Sequence, residues 1–363
     1  MCPIKRVVGV RGQDFHPLHI EDQSGAVEPK PRALAVVERQ VFHGIFADIS
    51  ELFHLRHLTV SGQFLSRTKR DNFTFLYRRE ARLLEKAYDF DVVVAYQEDT
   101  ATAFVSYFVD TKRIAWIHCD YGAWSGGSRR RQDEYYSLFD GVVCVSEGAR
   151  RSFVGLFPEL EDRTHAIYNL LNINDIVSKA EMPIMEDWTK DKSAFRMVSV
   201  GRLSAVKQFG LVPAMARELK DTVKRPFQWY IIGSGDCETA IREEIMKYHM
   251  EDAVILLGAK DNPYPYMKEA DLVACTSNSE SFSYVIAEAK VLHTPVLSND
   301  FPVAYEVIDE SCGWIANVKD MPSVLSRIID NVDGEYDRKK AAAVAFEYTN
   351  TEILKKIDEL LQN

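Results

Sequence analysis

The 363-residue chain is 46% hydrophobic and 27% charged, with 18 glycines and 13 prolines, a globular composition that excludes a disordered, collagen-like or coiled-coil protein. Its 44 basic and 54 acidic side chains leave a net charge of −10, which argues against nucleic-acid binding through a strong basic field. At roughly 100–200 residues per domain the length suggests two domains.

In chain order, the opening MCPIKRVVGVRGQDF has neither a long apolar core nor a small-residue cleavage site. No apolar run approaches the ~18 residues of a membrane span, so a cytoplasmic protein is expected. Residues 11–31 read as loop, 32–49 (RALAVVERQVFHGIFADI) as a helix and 54–60 (HLRHLTV) as a strand. Basic clusters follow at Arg67, Lys69, Arg70, Arg78, Arg79 and Arg82, then at Arg129, Arg130 and Arg131 with Arg150 and Arg151. Such clusters read either as a face leaning on anionic lipid headgroups or as solvated helix faces.

From residue 90 onward, Val- and Ile-rich runs alternate with helical periodicity. Strands are expected at 91–96, 113–118, 141–146, 164–169, 196–201, 229–234, 254–259, 271–276 and 294–299. Helices are expected at 210–220 and 239–249, and beyond residue 319 only helices, at 321–330, 335–348 and 351–363. This is the pattern of doubly wound α/β domains with parallel sheets. The polar, aperiodic stretch 180–194 (AEMPIMEDWTKDKSA) suits an interdomain linker. The six cysteines are scattered without a CxxC pair, which reads as reduced thiols and makes a zinc site improbable.

Several motifs carry little. Asp89-Phe-Asp91 matches the short DxD metal pattern, but Asp91 more simply opens a strand. Gly233-Ser-Gly235 follows a strand, yet Glu238 stands where a dinucleotide fingerprint needs its third glycine, so it reads first as a tight turn. GxSxG, HExxH and GxxxxGK[ST] are absent, which removes the usual support for hydrolase, zincin and P-loop chemistry.

The informative stretch is 276–300 (TSNSESFSYVIAEAKVLHTPVLSND). A helix is expected to begin at residues 281–283, just after a strand, and its free N–H groups would favour phosphate. Glu280 precedes that helix start and Glu288 lies eight residues on. At 1.5 Å per residue their Cα atoms would be about 12 Å apart, beyond the ~5–9.5 Å of a glycosidase carboxylate pair. They therefore suit two grips on one long ligand; the bland alternative is a capping box plus a surface glutamate. Arg202 and Lys207 follow another strand, where a guanidinium and an ammonium could neutralise a diphosphate without metal.

The ordered series GRLSAVKQFG, IIGSG, VILLGAKDN, DLVACTS, ESFSYVIAE and TPVLSND resembles glycosyltransferase family 4, the retaining GT-B group of nucleotide-sugar-dependent transferases. The resemblance covers about residues 90–330 and is strongest from 195 onward. It implies an α/β GT-B fold of two Rossmann-like doubly wound domains facing a cleft. Residues 1–182 would form the acceptor side, 183–345 the donor domain and 346–363 a helix returning to the N-domain. By the same resemblance, Glu280 contacts donor-sugar hydroxyls, with Ser277 in its SxxE setting, and Glu288 contacts the ribose. The backbone from Ser281 through Phe282, Ser283, Tyr284 and Val285 holds phosphate and sugar. Arg202 and Lys207 stabilise the departing diphosphate, Gly201 and Gly233 line the nucleotide cleft, Ala259 lies where the base is held, and His118 sits near the reacting sugar. The chain departs from the family where serines replace glycines at Ser281 and Ser283, and no first strand with its glycine-rich loop is recognisable in residues 1–40.

The expectation is a metal-independent hexosyltransferase without cofactor. It would move a sugar from a nucleotide donor such as a UDP-sugar to a glycan or lipid-linked acceptor, in bacterial surface-polysaccharide synthesis and with peripheral contact to anionic membrane. The alternatives are an inactive GT-B subunit supporting a partner, or a nucleotide-sugar epimerase or hydrolase on the same fold.

Overall fold

The computed structural model describes residues 6–9, 33–37, 70–87, 90–96, 98, 100–122, 129–184, 188, 193–311, 313–345 and 349–362. The chain divides into two compact units, Met1–Ile167 with Leu360–Asn363, and Tyr168–Glu359.

The first unit carries six parallel strands: β1 (Arg6–Gly9), β2 (Ala33–Val37), β3 (Val92–Ala95), β4 (Lys112–Ile117), β5 (Gly141–Cys144) and β6 (Thr164–Ala166). They lie side by side in chain order. Its helices are α1 (Arg70–Ala87), α2 (Thr100–Val105), α3 (Arg129–Tyr136) and α4 (Glu147–Val154). Val93, Ala95, Ala115, Ile117, Val142 and Cys144 pack against an aromatic layer of Phe104, Phe108, Tyr121, Tyr136, Phe139 and Phe153. Every residue of β3 and β5 is buried, as expected of strands covered on both faces.

The N-terminal stretch differs from the sequence expectation. Residues 33–37 are a strand between β1 and β3, not the start of a helix over 32–49. ALAVV is an unbroken apolar run too short for periodicity to separate the two states. A first strand does exist at Arg6–Gly9. The remaining expectations for 11–31, 38–49 and 54–60 fall outside the described residues.

The second unit contains β7 (Phe195–Val200), β8 (Phe227–Ile232), β9 (Val254–Gly258), β10 (Leu272–Cys275), β11 (Val296–Asn299) and β12 (Gly313–Ala316). Their order is β12-β11-β10-β7-β8-β9, all parallel. The chain thus starts at the sheet centre, winds one way to β9, then reverses from β10, which is the doubly wound order with its switch point between β7 and β10. β12 was not among the expected strands: it is four residues long and opens on glycine. A Cβ on Gly313 would lie 2.6 Å from Ile308 Cγ2 and 3.0 Å from the Val296 carbonyl oxygen, so the register here requires a residue without one.

The helices of this unit are α5 (Ile173–Ala180), α6 (Val212–Thr222), α7 (Glu238–Tyr248), α8 (Tyr264–Glu269), α9 (Tyr284–Val291), α10 (Ala304–Val307), α11 (Met321–Ile329), α12 (Glu335–Ala345) and α13 (Thr351–Gln362), the last ending in the first unit's share. Within the first unit, the Leu360 carbonyl accepts from Lys112 Nζ at 2.9 Å.

The division at 167/168 falls ahead of the expected 182/183 because α5 is held by the second unit: Asn262 Nδ2 donates to the Lys179 carbonyl at 2.8 Å. The described part of the expected linker is held there too. Trp188 is buried, its ring 4.4 Å from that of Tyr230 and 5.0 Å from that of Tyr266.

Inside the second sheet a buried polar relay crosses three strands: Trp229 Nε1 donates to Ser199 Oγ at 2.9 Å, which donates to the Ala274 carbonyl at 2.6 Å. It ties β8 to β7 and β7 to β10, the two strands that flank the switch point.

Candidate functional site

In an open α/β sheet, ligands bind outside the carboxyl ends of the strands at the switch point. The loops after β7 and β10 meet there. Asn278 N–H donates to the Val206 carbonyl at 2.8 Å and Thr276 Oγ1 to the Lys207 carbonyl at 2.7 Å. Lys207, closing a short 3-10 turn, places Nζ 2.5 Å from Glu280 Oε1, and Ser277 Oγ donates to the same oxygen at 2.7 Å. From behind, Asn299 Nδ2 holds the Ser277 carbonyl at 2.9 Å. Three predicted site residues, Lys207, Glu280 and Ser277, are therefore in direct contact.

The capping-box alternative for Ser277 and Glu280 does not hold. No helix starts beside them; α9 begins at Tyr284, one to three residues later than expected. Glu280 lies four residues ahead of the helix, in the loop, with only 15% of its side chain exposed. Lys207 and Glu280 form a half-buried ion pair whose charges neutralise each other until an anion competes for the ammonium.

The glycine turns explain how this end of the sheet stays shallow. Gly201 N–H donates to the Ile232 carbonyl at 3.0 Å, Leu203 N–H to Ser234 at 2.9 Å and Gly233 N–H to Gly258 at 2.9 Å. These bonds stack the loops after β7, β8 and β9. A Cβ on Gly233 would collide with the Gly201 carbonyl oxygen, and one on Gly235 with that of Leu203. The GxG is thus a backbone-to-backbone contact. Gly201, at φ 154°, leaves room for the Lys207 stem, whose Cε passes 3.3 Å from where a Cβ would stand. Ala259 follows Gly258 and is exposed. Arg202 is also exposed; among the described residues its guanidinium has no hydrogen-bond or ion-pair partner.

At the α9 N-terminus, Ser283 adopts the left-handed conformation (φ 63°, ψ 74°), which costs an L-residue about 1–2 kcal/mol. Ser283 is buried, and its Oγ has no hydrogen-bond partner among the described residues. Phe282 is buried beside it, its ring 6.1 Å from Tyr168 and 5.2 Å from Tyr284. Ser281 and Val285 are partly exposed, and Tyr284 is 47% exposed.

Glu288 does not join Glu280. Its Oε1 accepts from Tyr264 Oη at 3.0 Å. Burial pushes the Glu288 carboxyl up to about 7, against which the Tyr264 hydrogen bond acts weakly. Tyr264 was not foreseen: a tyrosine in DNPYPYM bears no spacing relation to Glu288, and only the fold brings α8 against α9. Thr276 and Asn299 were likewise invisible, since the side chain of each donates to a backbone carbonyl rather than to another side chain.

His118 belongs to the first unit, one residue beyond β4. Its N–H donates to Glu98 Oε1 at 2.5 Å, and its ring centroid lies 4.7 Å from that of Tyr96. Of the basic clusters, Arg150 is held internally by the Thr164 carbonyl at 2.8 Å and by Glu161. Arg67 and Lys69 lie outside the described residues.

Residues 182–348 match the family described as Glycosyl transferases group 1. The chain is 22% identical to an uncharacterized glycosyltransferase of Methanocaldococcus jannaschii over 62% of its own length and 60% of that protein. It is 23% identical to the amylovoran biosynthesis glycosyltransferase AmsD of Erwinia amylovora, over 70% of its own length and 71% of the relative. Among solved structures, Anabaena Alr3699/HepE in complex with UDP-glucose matches with a TM-score of 0.64 at 18% identity, covering 91% of each chain. This likeness is one of fold.

Proposed function

We propose that the chain, whose residues 182–348 match the family described as Glycosyl transferases group 1, is a retaining glycosyltransferase that moves a sugar from a nucleotide-sugar donor to a glycan or lipid-linked acceptor. The observation that carries this reading is the convergence of Lys207, Glu280 and Ser277 at the switch point between β7 and β10. There the diphosphate of the donor takes over the Lys207 ammonium from Glu280, and exposed Arg202 adds a second charge. Positive charge aimed at the departing diphosphate stabilises the transition state electrostatically, so these two side chains fit the metal-independent reading. Glu280, released from Lys207, accepts donor-sugar hydroxyls. Glu288 faces the ribose, backbone N–H groups at Ser283 and Tyr284 face the phosphate, and His118 serves beside the reacting sugar.

The pathway class proposed for this chain is surface-polysaccharide biosynthesis, and the relative AmsD is a glycosyltransferase of amylovoran biosynthesis. A cytoplasmic protein with peripheral membrane contact fits a lipid-linked acceptor. Among the described residues no helix is long and apolar enough to cross a membrane. The α1 helix exposes Phe75 (67%) and Leu83 (48%) alongside Arg78, Arg79, Arg82 and Lys86, all exposed. An apolar side chain set among cations suits an anionic bilayer surface.

The test is a thermal-shift and saturation-transfer NMR screen against UDP-, GDP- and ADP-sugars with EDTA present. One nucleotide class should bind and then turn over with a glycan or lipid-linked acceptor. Silence from all three in a folded sample would overturn the reading.

A further inference from the structure

The loop that carries His118 is held from both sides. Glu98, in the turn between β3 and α2, gives one carboxylate oxygen to two consecutive backbone N–H groups, those of His118 at 2.5 Å and Cys119 at 2.9 Å. From the other side, Ser152 of α4 bonds Asp120 Oδ1 through its hydroxyl and accepts from Gly122 N–H at 2.9 Å. Further along, Tyr121 is fully buried and donates to Asp133 at 2.9 Å. Two successive amides converging on one anion fix the backbone just beyond the end of β4. Charge-assisted bonds of this kind are stronger than neutral ones.

A simple structural role would be served by any acceptor at any point of the loop; here both bonds fall at His118 and its neighbour. Nor does Glu98 activate the Cys119 thiol. Burial first, and the Glu98 charge next, push that thiol well above its ordinary range, which is the opposite of activation.

We infer that Glu98 is a positioning residue for His118: its carboxylate sets the backbone from which the imidazole, edge-on to Tyr96, is presented to the substrate. The inference rests on the reading of His118 as a residue of the active site. It assigns a function to a side chain that no motif marks, since Glu98 stands 20 residues ahead of the histidine it serves.

The experiment is a double-mutant cycle on kcat and KM with the UDP-, GDP- or ADP-sugar the chain accepts, followed as nucleoside diphosphate release. Glu98→Ala should lower kcat about 10–100-fold with donor KM within about twofold, as small displacements of a reacting group do. Glu98→Gln, which keeps a carbonyl acceptor for both amides, should stay within about threefold of wild type. In a His118→Ala background, Glu98→Ala should cost less than about threefold further, because residues acting as a unit are not additive. Glu98→Gln also guards against a folding defect, since its melting temperature and its His118 and Cys119 amide resonances can be compared with wild type. If the Glu98→Ala loss multiplies undiminished onto His118→Ala, or if Glu98→Ala turns over at the wild-type rate, the positioning role is overturned. If His118→Ala itself turns over at the wild-type rate, the assignment of His118 is overturned, and this inference with it.

Discussion

Glu288 is the residue where burial and proposed function conflict most visibly. A carboxyl whose value is raised from 4.5 to about 7 binds a proton in the folded state that the unfolded chain has already released. Its contribution is therefore greatest below pH 4.5 and is lost as the pH rises through 7, a penalty on the order of 3 kcal/mol at alkaline pH. Glu288→Gln should raise stability at pH 8 and leave it little changed at pH 4.5, as urea denaturation at the two pH values would register. Nucleotide affinity should run the other way, because the ionised carboxylate is the better acceptor for ribose hydroxyls. Wild type should bind more tightly at pH 8 than at pH 6, and Glu288→Gln should lose that difference. Ser283 offers a second residue-scale test. Replacing it with glycine removes the left-handed penalty and a buried hydroxyl lacking a partner among the described residues, partly offset by the glycine's freedom when unfolded. A gain of about 0.5–1 kcal/mol is expected, seen as a rise in Tm; a fall would show that the hydroxyl is bonded.

At the scale of elements, both units fasten neighbouring strands with the same device. Asp140 Oδ2 accepts from Arg113 N–H at 2.7 Å at the foot of β4 and β5, and Asp271 Oδ2 accepts from Arg196 N–H at 2.8 Å at the foot of β7 and β10. In each case the arginine's Nε also lies 3.7 Å from the carboxylate. Asp271→Ala would leave that amide unpaired and should cost about 1–3 kcal/mol, measurable by urea titration; an unchanged midpoint would contradict the anchoring role. The strands from 91 onward were legible because Val- and Ile-rich runs bounded by polar residues have few other uses in a protein of this size. GWIA at 313–316 was not, since its opening glycine reads as a turn unless the approach of Ile308 and Val296 is known. ALAVV at 33–37 failed in the opposite way, its alanines and its length suiting a helix equally. The site divided along the same line. Lys207, Glu280 and Ser277 could be read from ordered motifs, whereas Tyr264 and Glu98 act across gaps of 24 and 20 residues and leave no local signal.

For the whole molecule, the net charge of −10 and the basic, partly apolar outer face of α1 pull in different directions. The proposed attraction to an anionic bilayer would come from that local face and so should be salt-sensitive. Sedimentation with vesicles containing anionic lipid should carry the protein down at low salt, and Phe75→Ser with Arg79→Glu should abolish it. Equal binding to zwitterionic vesicles would contradict an electrostatic contribution. In the proposed function the second unit receives a nucleotide sugar at its switch point through Lys207. The most direct measurement is isothermal titration of wild type and Lys207→Ala with the bound nucleotide diphosphate, metal-free, alongside their melting temperatures. Losing one charge-assisted contact should weaken binding about 10–100-fold, with far less effect on folding. Equal affinity in the two proteins, or no nucleotide binding by folded wild type, would contradict this role of Lys207.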